Sequence, residues 1–174
     1  ASGCEKYDPR SMYHFGYGKY IEVVTSIQFE RILSASGPFE GHIQRPSDGV
    51  LPKKVAFILC VGSRSETASG CSYCCKIGCM TAIKQALLLD KAVPCAEPWI
   101  FYTDVRAFGK GYEEFYAKTR EHFVPFIRGR VAEVTPNGNS LTVKGIDTLL
   151  GKQIEEQFDL VVLSPAIVPN TGTK

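Results

Sequence analysis

The chain's apolar positions fall into blocks with two different periods. Lys54 is followed by the unbroken run Val55-Ala56-Phe57-Ile58-Leu59-Cys60-Val61, the pattern of a strand buried on both faces of a parallel sheet. Over residues 79–90 the spacing becomes helical, with Ile83, Ala86, Leu87 and Leu89 inward and Lys84 and Gln85 outward. Trp99-Ile100-Phe101-Tyr102 with Val105 predicts a second buried strand. Residues 111–122 predict a second helix, with Tyr112, Phe115 and Tyr116 as its inner stripe, and residues 124–127 a third strand. Residues 130–134 and 141–144, joined by a segment containing Asn137-Gly138, predict a hairpin or β-meander. Residues 158–163 then return the chain to a sheet. Strand, helix, strand, helix, strand is the βαβαβ order of a doubly wound sheet. The fold class is therefore α/β, a Rossmann-like sheet with an added β-meander.

Residues 1–52 read differently. Glycines and prolines punctuate them, and Tyr7, Tyr13, Phe15, Tyr17 and Tyr20 supply aromatic anchors. One short helix is predicted over 26–35, capped by Thr25, with Ile27, Ile32 and Leu33 on one face, and Ser36-Gly37-Pro38 ends it. The chain thus divides into a loop-rich lead-in, 1–52, and a Rossmann-like domain, 53–174. No basic stripe accompanies the aromatic residues, so packing against a neighbouring domain explains them better than stacking on nucleic acid.

Composition narrows the function classes. A chain of 174 residues, 44% hydrophobic and 22% charged, is long enough for a full core. A formal charge of +2 gives no polybasic surface for nucleic acid. No apolar run reaches the length of a membrane span, and the start lacks the basic and apolar regions of a signal peptide. The expected location is cytoplasmic, at most peripheral to a membrane complex. The first residue is Ala1 rather than Met, which leads us to expect a piece of something longer.

The first strand–loop–helix unit stands where a nicotinamide cofactor would bind. A dinucleotide turn needs three glycines: for the bend, for close approach of the pyrophosphate and for helix packing. Cys60-Val61-Gly62-Ser63-Arg64-Ser65 offers one. No NAD site is expected. Cysteines stand there instead: of seven in the chain, Cys60, Cys71, Cys74, Cys75 and Cys79 lie within twenty positions, while Cys4 and Cys95 stand apart. Cys60 ends the strand where open α/β sheets place their ligands. Cys71 and Cys74 have chelate spacing, and Cys75 and Cys79 are one helical turn apart. Four converging thiolates are what a 4Fe-4S iron–sulfur cluster requires. Zinc takes the same ligands, and a dithiol centre is a further reading. Arg64, Lys76 and the N-terminus of the following helix can offset thiolate charge.

Around these cysteines the chain resembles the heterodisulfide reductase A-subunit family, including its relative in the quinone-interacting membrane-bound oxidoreductase complex. The resemblance rests on 55–64, on Tyr73-Cys74, on Cys79-Met80 and on 82–86. It continues in 29–38, 45–49, 104–116 and 126–131, so that it spans nearly the whole chain. It implies a flavoprotein parent of thioredoxin-reductase type, with FAD held mostly outside this segment. The segment itself would be a domain inserted where a nicotinamide domain otherwise sits. Ala1-Ser2-Gly3 would end an incoming flavin-domain strand, and 159–163 would form the return strand.

The resemblance also implies cluster ligands at Cys60, Cys74 and Cys79, plus a cysteine immediately before Cys79. Gly78 occupies that fourth position, and Cys71 and Cys75 are extra thiols, either able to supply the missing ligand. The departure favours the quinone-complex branch. The implied function is electron relay between FAD and partner subunits, without catalysis by this segment alone. The competing reading is a structural docking domain that has lost its cluster, with free thiols or bound zinc. Arg106, Lys110 and Glu113 are candidates for contact with the flavin domain or a partner. His14, His42 and His122 have no local partner in the sequence.

Overall fold

The computed structural model describes residues 3–67, 69–122, 124–170 and 172; Ala1 and Ser2, read above as the end of an incoming strand, lie outside them. In chain order the elements are β1 (Cys4–Lys6), β2 (Val23–Thr25), α1 (Ser26–Leu33), β3 (Lys54–Val61), α2 (Gly78–Ala92), β4 (Glu97–Tyr102) and α3 (Tyr112–Glu121). They continue with β5 (Phe126–Arg128), β6 (Val131–Asn137), β7 (Ser140–Asp147), β8 (Lys152–Phe158), β9 (Leu160–Pro165) and β10 (Ile167–Pro169). Two short 3-10 turns, Pro9–Ser11 and Tyr13–Phe15, follow β1.

The centre is a parallel sheet in the order β2-β9-β3-β4-β5. β3 is flanked on both sides, Phe57 lying opposite Ile100 of β4 and Val162 of β9. This is why its sequence is apolar throughout. On one face α1 and α2 bury Phe29, Ile83 and Leu89 against Phe57, Leu160 and Val162, with Phe115 and Tyr116 of α3 packed alongside. On the other face the antiparallel meander β6-β7-β8 and Phe15 cover Ala56, Ile58, Phe101, Val161 and Leu163. The parallel βαβαβ sheet and its meander are as the pattern predicts, but the sheet is not doubly wound: all three helices lie on one face and the meander takes the other.

Several details differ. β2 is only three residues long, too short to show a period, yet its buried Val23, Val24 and Thr25 add an edge strand to the sheet. β8 reads as polar because its outward positions carry Gln and Glu, while Phe158 is buried. In α1 the inward anchor is Phe29, fully buried, and Ile27 is 55% exposed; two residues on a helix are about 200° apart, so both cannot face the sheet. Tyr112 begins α3 and is exposed, leaving Phe115 and Tyr116 to pack. Gln85, expected outside, is fully buried because α1 crosses α2 there: its Nε2 donates to the Ser26 carbonyl and to Glu30, each at 2.9 Å.

β1 pairs antiparallel with β10, Cys4 opposite Pro169 and Lys6 opposite Ile167. The two strands form a ribbon of their own, separate from the central sheet.

Candidate functional site

Side chains in β3 alternate normally as far as Leu59: Val55, Phe57 and Leu59 face the helices, Ala56 and Ile58 the meander. Then the alternation breaks. Cys60 has a left-handed backbone, φ 59°, and the pairing of β3 with β9 slips between Ile58 and Val61. Such a bulge re-aims side chains. Cys60 packs against the helix-side core and Val61 against the meander side, the reverse of an unbroken strand. The thiol is thereby carried to the face on which α2 begins.

The loop after β3 folds back on itself. Cys71 N–H donates to the Gly62 carbonyl at 2.8 Å, and Ser65 N–H donates to the Cys71 carbonyl at 2.9 Å. Arg64 N–H and Ser63 Oγ both donate to the Tyr73 carbonyl, at 3.1 and 2.7 Å. This small ladder delivers Cys74 and Cys75 to the end of the sheet. It fixes Cys71 beside the Tyr73 phenol, whose pKa the Cys71 side chain raises. Gly62 adopts φ 71°, and a Cβ there would lie 2.4 Å from the Tyr7 ring, so the glycine admits Tyr7 rather than a ligand.

At the start of α2, Ile77 in the cap position offers no side-chain hydrogen bond. Sulfur takes that role: Gly78 N–H donates to Cys75 Sγ at 3.3 Å, and Lys76 N–H donates to Cys74 Sγ at 3.3 Å. Cys79, in the first turn, is buried. As a thiol it donates to the Asp104 carbonyl at 3.8 Å, and as a thiolate it is favoured by the Arg106 backbone N–H of the same turn. Arg64 and Arg106 both form ion pairs with Asp104.

These placements bring Cys60, Cys74, Cys75 and Cys79 within electrostatic reach of one another. Burial pushes the Cys60 thiol up to about 11, with the Cys79 charge adding to it, Arg64 opposing it, and Cys75 and Cys74 adding further. Burial also raises Cys79, and Cys75 and Cys74 raise it more. The Cys71 side chain lies against the Tyr73 phenol. Cys4 and Cys95 are exposed and remote in sequence.

A single zinc with bonds of about 2.3 Å holds its thiolates within about 4 Å of one another. Among the described residues no three His, Cys, Asp or Glu side chains are grouped for one metal ion. A cluster takes its ligands at the corners of a larger body of iron and sulfide, so its thiolates stand further apart than those on one zinc. One further group fits: Ser164, 2% exposed, has a hydroxyl without a hydrogen-bond partner among the described residues, and its Cβ is 3.6 Å from where a Cβ on Gly78 would lie.

Sequence reading missed three of these features. The turned backbone at Cys60 has no compositional signature. Asp104 pairs with Arg64 across 40 positions of chain. Ser164 belongs to an apolar strand and carries no motif. Lys110 and Glu113, singled out above, are exposed.

No protein-family model matches the chain. Among curated proteins it is 47% identical over 176 residues to the A-subunit of the H(2):CoB-CoM heterodisulfide,ferredoxin reductase of Methanothermobacter marburgensis, covering 100% of this chain and 27% of that protein. It is 47% identical over 172 residues to the iron-sulfur A-subunit 2 of the CoB--CoM heterodisulfide reductase of Methanopyrus kandleri, covering 97% and 26%. A 41% match over 175 residues covers 100% of this chain and 22% of the A-subunit of the ferredoxin/F(420)H(2)-dependent CoB-CoM heterodisulfide reductase of Methanosarcina acetivorans. The chain thus spans about a quarter of the length of these relatives.

Among solved structures, thioredoxin reductase from T. acidophilum superposes with a TM-score of 0.52 at 16% identity, over 97% of this chain and 43% of that one. L-lysine 6-monooxygenase from Pseudomonas syringae gives 0.57 at 12% identity, over 94% and 44%. These two likenesses concern the fold alone. Sequence identity of 41–47% along almost the whole chain carries the family assignment: the chain belongs to the heterodisulfide reductase A-subunit family.

Proposed function

We propose that this chain is an electron-transfer domain of a heterodisulfide-reductase-A-type flavoprotein. It relays electrons between FAD, held by the rest of the parent protein, and partner subunits, through a cysteine-ligated 4Fe-4S cluster. The observation that carries this reading is the gathering of Cys60, Cys74, Cys75 and Cys79 at the C-terminal edge of the parallel sheet. That edge is where open α/β sheets hold their ligands, and here it lacks the glycines a dinucleotide requires. The Methanopyrus kandleri relative is named an iron-sulfur subunit, in keeping with this.

When bound, the cluster supplies one-electron transfer without bond-making on a substrate. The chain's own residues do the rest. Thiolates hold the iron. The N–H groups of Lys76 and Gly78, directed at Cys74 and Cys75, offset part of the thiolate charge, as does the N-terminal end of α2. Arg64 adds a cation beside Cys60. Leu59, Cys79 and Met80, all buried, exclude water from beneath the site. Exposed Ile77, Phe108 and Tyr112 line one groove with Lys76, the residue after Cys75, and offer an apolar contact for the flavin domain or a partner subunit. The paired β1 and β10 suit a domain inserted into a longer chain through one double connection.

Anaerobic reconstitution with ferric iron, sulfide and a thiol reductant tests the reading. The expected result is about four irons and four sulfides per chain with a broad absorption in the blue visible region. A folded chain that retains no iron after desalting refutes it.

A further inference from the structure

We propose that Cys75, not Cys71, is the fourth cluster ligand, and that Gly78 is a glycine because it makes room for the Cys75 sulfur. The proposal rests on the iron–sulfur reading above and goes beyond it by choosing between two thiols that spacing alone leaves equal.

The choice follows from where the sulfur sits. A Cβ built on Gly78 would lie 3.1 Å from Cys75 Sγ, tighter than ordinary contact, and that sulfur is the nearest atom to it. Cys75 Sγ therefore occupies the space into which a side chain at position 78 would grow. A cysteine at 78 would place its own sulfur one C–S bond beyond that Cβ, in the same small region. The backbone conformation of Gly78 is helical and does not itself call for glycine; the neighbouring sulfur does. Gly78 is also the residue at which the chain departs from the ligand pattern it resembles, and the spare thiol is found at the vacated place.

Two further features fit Cys75 as a ligand. Its sulfur accepts the Gly78 N–H at 3.3 Å, as Cys74 accepts the Lys76 N–H, and N–H donors directed at sulfur favour the thiolate that binds iron. Ser164 Cβ lies 3.6 Å from the same Cβ position, and its buried hydroxyl has no hydrogen-bond partner among the described residues, so it is a donor free to meet sulfide or thiolate there. Cys71 is held differently. Its backbone is locked between Gly62 and Ser65, and its side chain neighbours the Tyr73 phenol. In binding iron, each cysteine gives up its thiol proton to solvent as the Fe–S bond forms.

The test is to reconstitute the chain and its Cys75→Ser, Cys71→Ser and Cys75→Ser/Gly78→Cys variants in parallel. Iron and sulfide content and electron paramagnetic resonance are the readouts, and circular dichroism confirms folding. We expect about four irons in the parent chain and in Cys71→Ser, three or fewer in Cys75→Ser, and recovery in the double variant. Full iron in Cys75→Ser with loss in Cys71→Ser overturns the assignment and leaves the cluster reading intact. A parent chain without iron overturns both. Failure of a well-folded double variant to recover iron refutes the claim that residues 75 and 78 share one ligand position.

Discussion

Arg64 and Asp104 form an ion pair that ties the loop after β3 to the loop after β4, with Arg106 closing on the same carboxylate at 2.9 Å. The thiol loop is thus braced by charge as well as by its backbone ladder. Burial pushes the Asp104 carboxyl up, but the hydrogen bonds and charges of Arg106 and Arg64 more than reverse this, leaving it below its ordinary value.

Asp104→Asn should therefore cost about 1 kcal/mol at neutral pH, the upper part of the range for partly exposed pairs. A carboxyl with a depressed folded pKa stabilises above its unfolded value, near 3.9, and loses that contribution as pH falls through the folded value. Urea unfolding at pH 7 and pH 3 checks this. The difference between parent and variant should be present at pH 7 and much reduced at pH 3.

Cys60 should be a slow thiol in the metal-free chain. With its pKa near 11, its thiolate fraction at pH 8 is about two hundredfold below that of an ordinary exposed cysteine. Iodoacetamide labelling followed by mass spectrometry should modify Cys4 and Cys95, both exposed, well before Cys60. The raised pKa also means that stability is intact below about pH 8.5 and is lost as pH rises through 11. Equal labelling rates at pH 8 would contradict the buried, charge-crowded setting of this thiol.

Thr25→Ala should destabilise the chain by about 1 kcal/mol. Thr25 accepts the Gln28 N–H at 3.4 Å while Gln28 Oε1 accepts the Thr25 N–H at 2.8 Å, so each side chain satisfies a backbone donor. Thermal unfolding followed by circular dichroism measures the loss, and Gln28→Ala should cost less than Thr25→Ala because the buried Thr25 also packs.

NADH and NADPH should show no saturable heat in calorimetric titration. The one glycine in the first turn, Gly62, is already filled by the ring of Tyr7, and the loop beyond it is paired with Cys71 and Tyr73. A Tyr7→Ala variant offers the stricter trial, since it frees the glycine while leaving the other two of the fingerprint absent.

The parts of the fold visible in the sequence are those whose side chains repeat one demand many times. β3 is apolar at every position after Lys54 because both of its neighbours and both of its faces are covered. β2 makes the same demand only three times, and β8 hides it under Gln and Glu on its open face. At the site, the clustering of thiols was legible, but their sorting was not. Whether Cys60 faces the helices depends on the sign of one backbone angle. Where Cys75 and Cys71 stand depends on a ladder between residues 62–65 and 71–73, and on the space at Gly78 that the Cys75 sulfur takes. Composition records neither angle nor volume.

The ribbon of β1 and β10 meets the thiol loop where the Tyr73 hydroxyl donates to the Ile167 carbonyl of β10 at 2.9 Å. Tyr73 is the residue whose carbonyl receives both Ser63 and Arg64. Tyr73 is therefore shared by two pieces of structure, its phenol holding the ribbon and its carbonyl holding the turn that precedes Cys74.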